Sequence, residues 1–567
     1  MADTVKPPSV THDKLFTRWG SLKTERSSFI PHYQDLSRYL LPRSGRFFLE
    51  DNNSGRKKHN NILDSTGTRS LRVQSAGLLS GMTSPARPWM RLATPDEDLN
   101  KVPAVKLWLS QVTRTMLAIF AKSNTYRALH SMYEELGCFG TTASILLPDF
   151  QNVIHHYPLT AGEYCLATDW RGNTNTLYRE FRKTVGETVK EFGRDKVCTS
   201  TRNLFDAGQL DQWVTIIHAM EPREDRDLSK RDAINMKWRS CYFELNGERG
   251  KYLSESGFRR FRAIAARWFA QGGDVYGGSP GMDALGDLKQ LQHQQMRKGQ
   301  AIDFMINPPL QVPMGLKDRD VDRLPGGITF YDGQTQGIKS MFDVRLDLSH
   351  LHKDIMDVHQ RIREAFSADL FLMLANDSNP KMTATEVAER HEEKLLMLGP
   401  VLDRLHSEML SPLIEMTFDQ MIEAGIVPAP PEELHGMKLD VEFVSMLAQA
   451  QRAIATNSVD RFVANLGQVA SFKPEVLDKL DSDVWVDKYS DMLGIDPEMI
   501  VANDKVAIVR QAREQQKAAA QQAAQAEQMA SAAQKAGTVP TQGGGSNLAV
   551  DMMNQFTGYG SPNGVGL

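Results

Sequence analysis

Hydrophobic side chains in the first 136 residues recur at intervals of three and four, the spacing of one face of an α-helix. In the stretch 12–42, Leu15, Trp19 and Leu22 share such a face, and a break follows at Pro42. The interval 103–136 predicts two more helices, separated at Ser123-Asn124. The apolar positions of the first of these are Val105, Trp108, Leu109, Val112, Met116, Ile119 and Phe120. The chain therefore opens with a helical section.

Between residues 141 and 270 the pattern changes to short runs rich in β-branched and aromatic residues. Gly, Pro, Asn or Asp separates these runs, which is typical of strands joined by turns. The predicted strands are TASILLPDF, VIHHYPL, EYCLATDW, NTLYREFRK, QWVTIIHAM and KWRSCYFEL. Helical spacing interrupts them near 184–208. We interpret this section and the helices before it as one α+β body.

A glycine-rich hinge at 272–282 leads into a Gln-rich helix, a Pro- and Gly-punctuated excursion, and a returning helix. The returning helix carries a narrow apolar stripe of Leu348, Leu351, Ile355, Val358, Ile362 and Phe366. A stripe this narrow is typical of a helix that packs between neighbouring helices. We therefore expect that this helix cannot bury itself within one subunit and needs neighbouring copies, as in a ring.

A longer periodic segment follows over 383–424. Pro400 and Pro412 lie within it and predict kinks. Short helices are expected over 439–510. The tail from 511 is rich in Gln and Ala, so it is capable of forming a helix but is weakly apolar.

Composition narrows the class of protein. Hydrophobic residues make up 41% of the 567 residues and charged residues 24%, which excludes a wholly disordered chain. The net charge of −4 excludes a strongly basic nucleic-acid coat, although not local basic patches. No apolar run is long enough for a membrane span, and the N-terminus has no apolar secretory segment. Four widely spaced cysteines predict free thiols.

Motifs for catalysis and metal binding are missing from the sequence. No GxxxxGK[ST] phosphate loop occurs, so an ATPase site is not expected. His391-Glu392-Glu393 lacks the second histidine of a zinc helix, and adjacent residues His155 and His156 would point to opposite faces of a strand. We expect no enzyme activity and no cofactor.

Three charged groups are candidates for contacts with partners. Lys289, His293 and Arg297 recur every four residues and form a basic stripe that could touch phosphates or an acidic neighbour, or could equally be a solvated helix face. Lys381 lies in the loop SNPKM between two long helices and, taken alone, is as expected for an ordinary surface lysine. The run KDRDVDR alternates in sign through Lys317, Asp318, Arg319, Asp320, Asp322 and Arg323.

Two stretches carry a family resemblance. NNILDSTGTRSLRVQSAGLLSGMTSPARPWMRL, with YEELGCFGTTASILLP downstream, resembles the head-to-tail connecting proteins, or portal proteins, of short-tailed bacteriophages (podoviruses). The order of the elements is similar over most of residues 10–510. The resemblance implies an α+β, predominantly helical portal fold with a wing, stem, clip and crown, assembled as a ring.

The resemblance also implies domain boundaries. In chain order they are 1–281 for the wing with its β-rich part at 141–270, 282–304 for the first stem helix, 305–345 for the clip, 346–367 for the second stem helix, 368–384 for the tunnel loop, 385–430 for the long kinked wing helix, 431–510 for the crown, and 511–567 for a helical barrel or flexible tail. The tunnel loop would place Asn376, Asp377, Ser378, Asn379 and Lys381 at the channel.

The function implied by the resemblance is a passive conduit. A ring of twelve copies at one capsid vertex would pass double-stranded DNA during packaging and ejection. Its partners would be a separate terminase, then a tail adaptor, together with the major capsid and scaffolding proteins, and no membrane. Its location would be the virion, after assembly in the host cytoplasm.

Two other classes remain as alternatives. A virion adaptor or scaffold that is monomeric or a coiled coil would account for the long helices but poorly for the β-rich section. A nuclease or hydrolase would require a cluster of acidic, His or Cys residues, which the sequence does not indicate.

Overall fold

The computed structural model describes residues 8–48, 61–100, 102–230, 232–306, 310–311, 339–340, 349–375, 398–434, 439–443, 462–473, 475–476, 480–493, 501 and 503–536. The chain divides into two compact units, Met1–Ile454 and Ala455–Leu567. The first unit contains a three-stranded sheet, a five-stranded sheet and the helices that surround them.

Six helices precede the sheets in the part of the chain that the structure describes, and the helices expected from the apolar spacing are confirmed. They are α1 (Pro8–Ser27), α2 (Ile30–Tyr39), α3 (Thr66–Met82), α4 (Glu97–Asn100), α5 (Pro103–Lys122) and α6 (Thr125–Phe139). The seven apolar positions predicted for α5 are all buried. Gly140 ends α6 in the left-handed region at φ 75°, a conformation that glycine adopts without a Cβ penalty.

Two antiparallel sheets form the β-rich section. A three-stranded sheet has the order β3-β2-β9, and a five-stranded meander runs β4-β5-β6-β7-β8. The strands are β2 (Thr141–Asp149), β3 (Val153–Leu159), β4 (Tyr164–Thr168), β5 (Thr174–Thr184), β6 (Trp213–Pro222), β7 (Trp238–Glu244), β8 (Ser254–Phe258) and β9 (Ala263–Arg267). Helices α7 (Val185–Phe192) and α8 (Thr199–Asp206) interrupt them. All six predicted strands are present, whereas β8 and β9 were not predicted.

A helical section follows the sheets. It consists of the short α9 (Pro280–Asp283), α10 (Leu285–Ile306), α11 (Ser349–Ala365) and α12 (Ala368–Ala375). Between α10 and α11, two-residue strands β10 (Leu310–Gln311) and β11 (Lys339–Ser340) pair antiparallel and bring the two ends of the excursion together. Residues 368–375, expected to begin a loop, are helical instead, because Leu370 and Phe371 are buried in the main core.

The prediction that α11 needs other copies for burial is wrong. Ile355, Val358, Ile362 and Phe366 are at most 2% exposed within the single chain. They share a core with Leu288 and other residues of α2, α3 and α10. A narrow stripe is sufficient here because several helices converge on it.

The segment expected to be one long helix is interrupted where the structure describes it. Helix α13 covers 398–405, a π-helical turn covers His406–Leu410, and α14 covers Ser411–Glu423. Pro412 lies in the first turn of α14, where its missing N–H is tolerated. The π-helical turn therefore lies directly before Pro412, and the kinks predicted at Pro400 and Pro412 stay predictions. Residues 385–397 of the predicted helix lie outside the described residues.

The main core lies where α3, α5, α6, α12, α13 and α14 meet the three-stranded sheet. Its largest fully buried side chains include Trp89, Tyr133 and Phe120. Strand β12 (Asp440–Phe443) pairs antiparallel with β1 (Met90–Ala93) beside this core. The first part of the segment expected to form the crown therefore belongs to the first unit.

The second unit is helical where it is described. It contains α15 (462–470), α16 (Ser482–Leu493) and α17 (Asn503–Ala536). Arg510 of α17 forms a two-pronged ion pair with Asp483 of α16. The 34-residue α17 spans about 50 Å. The Gln/Ala-rich tail is thus helical as far as Ala536, and whether it forms a barrel stays a prediction.

Candidate functional site

Two of the three predicted charged groups cannot be placed. The tunnel-loop candidates are Asn376, Asp377, Ser378, Asn379 and Lys381, and the clip candidates are Lys317, Asp318, Arg319, Asp320, Asp322 and Arg323. Both sets lie outside the described residues. Their proposed roles therefore stay predictions from the sequence.

The residues of the third group, the basic stripe of α10, differ in their contacts. Lys289 donates to Asp35 of α2 at 2.7 Å, and its ammonium lies 5.8 Å from the centre of the Tyr39 ring. His293 and Arg297 are exposed, and Arg297 has only a long 3.5 Å contact with Gln300. Lys289 therefore holds α10 against α2, while His293 and Arg297 remain accessible to a partner.

Gln292 and Gln295 of α10, beside the basic stripe, belong to a polar cluster that the residue spacing did not reveal. The Gln292 side-chain oxygen accepts from the backbone N–H groups of Leu63 at 2.6 Å and Asp64 at 2.8 Å. Its amide nitrogen donates to the Asp64 carbonyl at 2.9 Å. Gln292 is only 6% exposed. The Gln292 side chain thus supplies hydrogen-bond partners to the backbone of residues 63–64, which lead into α3. It therefore fixes where α3 begins.

Asp64 joins three elements. Its Oδ1 accepts from the backbone N–H and the hydroxyl of Thr66 at the start of α3, at 2.9 and 2.6 Å. Its Oδ2 accepts from Gln295 of α10 at 2.9 Å and lies 2.8 Å from His359 Nε2 of α11. Burial alone raises the pKa of Asp64, but the hydrogen bonds from Thr66 and His359 outweigh burial and lower it. The carboxylate therefore stays ionised and ties α3, α10 and α11 together.

Further polar contacts join the two helices that flank the excursion. Arg361 of α11 reaches Asp287 of α10 at 3.0 Å, and Gln294 of α10 donates to Asp354 of α11. These contacts hold α10 and α11, the two helices between which the excursion runs, on the body. The arrangement can orient a projecting segment.

The two histidines of β3 point apart as predicted. His155 is exposed, whereas His156 is 1% exposed and its Nδ1 lies 3.4 Å from Ser144 Oγ. Burial lowers the pKa of His156 to about 3, so the ring is neutral. Within the described ranges, no group of three or more His, Cys, Asp or Glu side chains could hold a metal ion. The four cysteines are buried and free.

None of the described helices combines the length and the apolar character needed to cross a bilayer.

Comparison with known proteins identifies the family. The sequence model of the family described as bacteriophage head to tail connecting protein matches residues 12–501. The chain belongs to this family. It is therefore a structural protein of the phage head–tail connection, as the sequence resemblance indicated.

Two relatives of this connecting protein are similar over nearly their full length. The chain is 61% identical to a probable portal protein of Bordetella phage BPP-1, with 96% of this chain and 98% of that protein covered. It is 44% identical to the portal protein of Salmonella phage epsilon15, with 92% and 93% covered. A solved chain from the neck of an empty gene transfer agent particle covers 80% of this connecting protein, at 11% identity and a TM-score of 0.33.

Proposed function

We propose that the chain is a portal subunit. Twelve copies form a ring at one capsid vertex, and double-stranded DNA passes through the central channel during packaging and ejection. The observation that carries this proposal is the 61% identity to a probable portal protein, which extends across 96% of the chain. Membership of the connecting-protein family over residues 12–501 supports the same assignment.

Helices α10 and α11 are the proposed stem, and residues 305–345 are the proposed clip. The pairing of β10 with β11 supports this assignment, because it closes the excursion into a loop with a narrow base. Asp64, Gln292 and His359 hold α10 and α11, the helices that carry this loop, on the body. A rigid base suits a docking segment that a terminase occupies first and a tail adaptor occupies later.

The packaging motor is a separate protein in this proposal. The chain has no GxxxxGK[ST] loop, and a DNA-translocating ATPase needs such a phosphate-binding element. The terminase therefore supplies ATP hydrolysis, and this chain supplies the channel and the docking surface. The major capsid and scaffolding proteins surround the ring, which assembles in the host cytoplasm and remains in the virion.

A channel for DNA must guide the duplex without retaining it. Each copy carries a net charge of −4, so the ring is acidic overall and repels phosphates. A few rings of cations, with Lys381 of the tunnel loop as one candidate, guide the backbone. Sparse cations on an acidic ring give weak and reversible contacts.

Negative-stain electron microscopy of the purified full-length chain tests the proposal. We expect rings with a central hole wide enough for a duplex, and twelve subunits in class averages. Compact or rod-like particles would favour the adaptor or scaffold alternative. A ring that hydrolyses DNA or another polymer would overturn the assignment to a passive conduit.

A further inference from the structure

Helix α3 has an exposed face that is basic and lacks acidic side chains. No Asp or Glu occurs between Asp64 and Asp96, although 70 of the 567 residues are acidic. Arg69 and Arg72 lie one helical turn apart on this face, and both are exposed. Among the described residues, neither guanidinium has an ion pair or a hydrogen bond. These two guanidinium groups are therefore available to bind an anion.

The rest of the exposed face is small and polar. Besides the two arginines it presents Ser65, Ala76 and Ser80. Protein–protein hot spots are enriched in Trp and Tyr together with Arg, and this face contains no aromatic side chain. A flat basic face with short neighbours lets a bulky polyanion approach both guanidinium groups. Its chemistry therefore suits phosphates better than an apolar protein surface.

The fold places α3 beside the helix that precedes the proposed tunnel loop. The buried side of α3 packs against α6, α11 and α12. A Cβ at Gly77 would lie 2.3 Å from the Phe371 ring of α12, so α3 and α12 are in close contact. Helix α12 leads directly into residues 376–384, the segment proposed to line the channel. The exposed face of α3 is thus carried by a helix in contact with the one that precedes the tunnel loop.

We propose that Arg69 and Arg72 bind the phosphate backbone of double-stranded DNA. This inference rests on the proposed portal function and adds a basic ring to it, separate from Lys381. Arginine holds a phosphate through two parallel N–H donors, which gives a directed contact without reading the base sequence. In a ring of identical copies, each copy contributes one such pair, so the contacts are repeated around the channel.

The test is DNA binding by the assembled full-length protein over a range of salt concentrations. Fluorescence anisotropy with a short labelled duplex gives the affinity at each concentration. We expect Arg69→Ala with Arg72→Ala to weaken binding by about tenfold at low salt. The plot of log affinity against log salt should become shallower by about 0.9 for each phosphate that the variant no longer neutralises.

Two further variants separate a phosphate contact from other causes. Lys106→Ala with Arg127→Ala removes the same charge from exposed helix positions of α5 and α6, and we expect nearly unchanged affinity and slope. Arg69→Lys with Arg72→Lys keeps the cations, and we expect it to restore most of the binding.

Several results would overturn the inference. Wild-type affinity and slope in the double-alanine variant would exclude these arginines from DNA binding. If that variant fails to form rings while the lysine variant forms them, the arginines bind an acidic group on a neighbouring subunit instead of DNA. If the wild-type protein forms no rings, the portal function fails as well; rings with normal binding in the double-alanine variant remove only this inference.

Discussion

Arg267 and Glu408 form a two-pronged ion pair that joins the end of β9 to the π-helical turn before α14. Arg267 Nη2 lies 2.7 Å from Glu408 Oε1, and its Nε lies 3.2 Å from Oε2. The Arg267 backbone N–H also donates to Glu408 Oε2 at 3.0 Å. The two side chains are only 7% and 17% exposed. The interruption of the helix thus coincides with a buried carboxylate that satisfies the edge strand of the three-stranded sheet.

Replacing Glu408 by Gln should lower the free energy of unfolding of the first unit by about 3 kcal/mol, because the Arg267 charge is left buried without its partner. Urea unfolding followed by tryptophan fluorescence measures the change. Glu432→Gln, at an exposed position, is the matched control. The double variant Arg267→Met with Glu408→Leu should lose less stability than Glu408→Gln. Equal loss in the double variant would contradict the explanation by an unpaired buried charge.

A second prediction concerns the turn where α6 ends. Gly140 has φ 75°, and a Cβ there would lie 2.3 Å from the Gly277 carbonyl oxygen. Gly140→Ala should therefore destabilise the protein by more than the roughly 1–2 kcal/mol of left-handed strain alone. Gly286→Ala is the contrasting variant, because a Cβ in this part of α10 meets nothing within 4 Å. It should stabilise the helix by about 0.5–1 kcal/mol. Thermal unfolding of the two variants should shift in opposite directions.

A third prediction concerns a buried carboxyl group. Glu135 of α6 accepts from the Thr160 hydroxyl at 2.7 Å and from the Ala161 N–H at 3.1 Å. Burial raises the pKa of Glu135 to about 7 from its ordinary value of 4.5, although these hydrogen bonds oppose the rise. Between these two values the folded protein keeps a proton that the unfolded chain releases. The contribution of Glu135 to stability therefore falls as pH rises through this window.

The variant Glu135→Gln cannot titrate, so it should lose this contribution to the pH dependence. Buried His156 acts in the opposite direction, because burial lowers its pKa to about 3 and stability is lost as pH falls below 6.5. The informative quantity is thus the difference in urea midpoint between variant and wild type, measured across the window. Glu432→Gln, at an exposed position away from Glu135, is the control. A difference that does not change with pH would show that Glu135 is ionised throughout.

Sequence periodicity was most reliable where a local pattern decides the structure. The apolar faces of α5 and α11 and the six predicted strands follow from residue spacing alone. Strands β8 and β9 were missed because SESGF and AIAAR each contain a single large apolar residue and no clear alternation, although β9 is fully buried. Their environment comes from distant partners, such as Glu408 for β9.

The polar cluster was missed for a related reason. The pattern of the Gln-rich helix predicts that Gln292 is exposed to solvent. It is buried because residues 63–64, which are distant in sequence, pack against that helix. The burial of α11 was also mispredicted. A Cβ at Gly67 of α3 would lie 2.3 Å from Leu288 of α10, so the glycine allows α3 and α10 to pack closely. That approach fills the core beside Ile355 and Val358, which the spacing within α11 alone does not indicate.

The channel assignment of Lys381 leads to a fourth prediction. If Lys381 forms a basic ring in the tunnel loop, Lys381→Glu reverses that ring and repels DNA phosphates. We expect normal rings but less packaged DNA per particle or poorer genome retention, measured by sedimentation of capsids and quantification of their DNA. Lys381→Arg keeps the charge and is the control. Unchanged packaging and retention in Lys381→Glu would argue against a channel position for this residue.

The alternating charges of the clip lead to a fifth prediction. Exposed ion pairs contribute only about 0–1 kcal/mol each, so the run from Lys317 to Arg323 should determine which surfaces pair more than how stable the subunit is. Reversing Asp320 and Asp322 to Lys should leave the unfolding temperature unchanged and impair ring closure or tail-adaptor binding. Electron microscopy of the purified protein measures the fraction of closed rings. Assembly of phage particles with the variant measures the fraction that carry tails. Neutral Asp320→Asn with Asp322→Asn should have a smaller effect, since it removes attraction without adding repulsion. Normal rings with normal tails in the Lys variant would mean that neither neighbouring subunits nor the adaptor uses these two carboxylates.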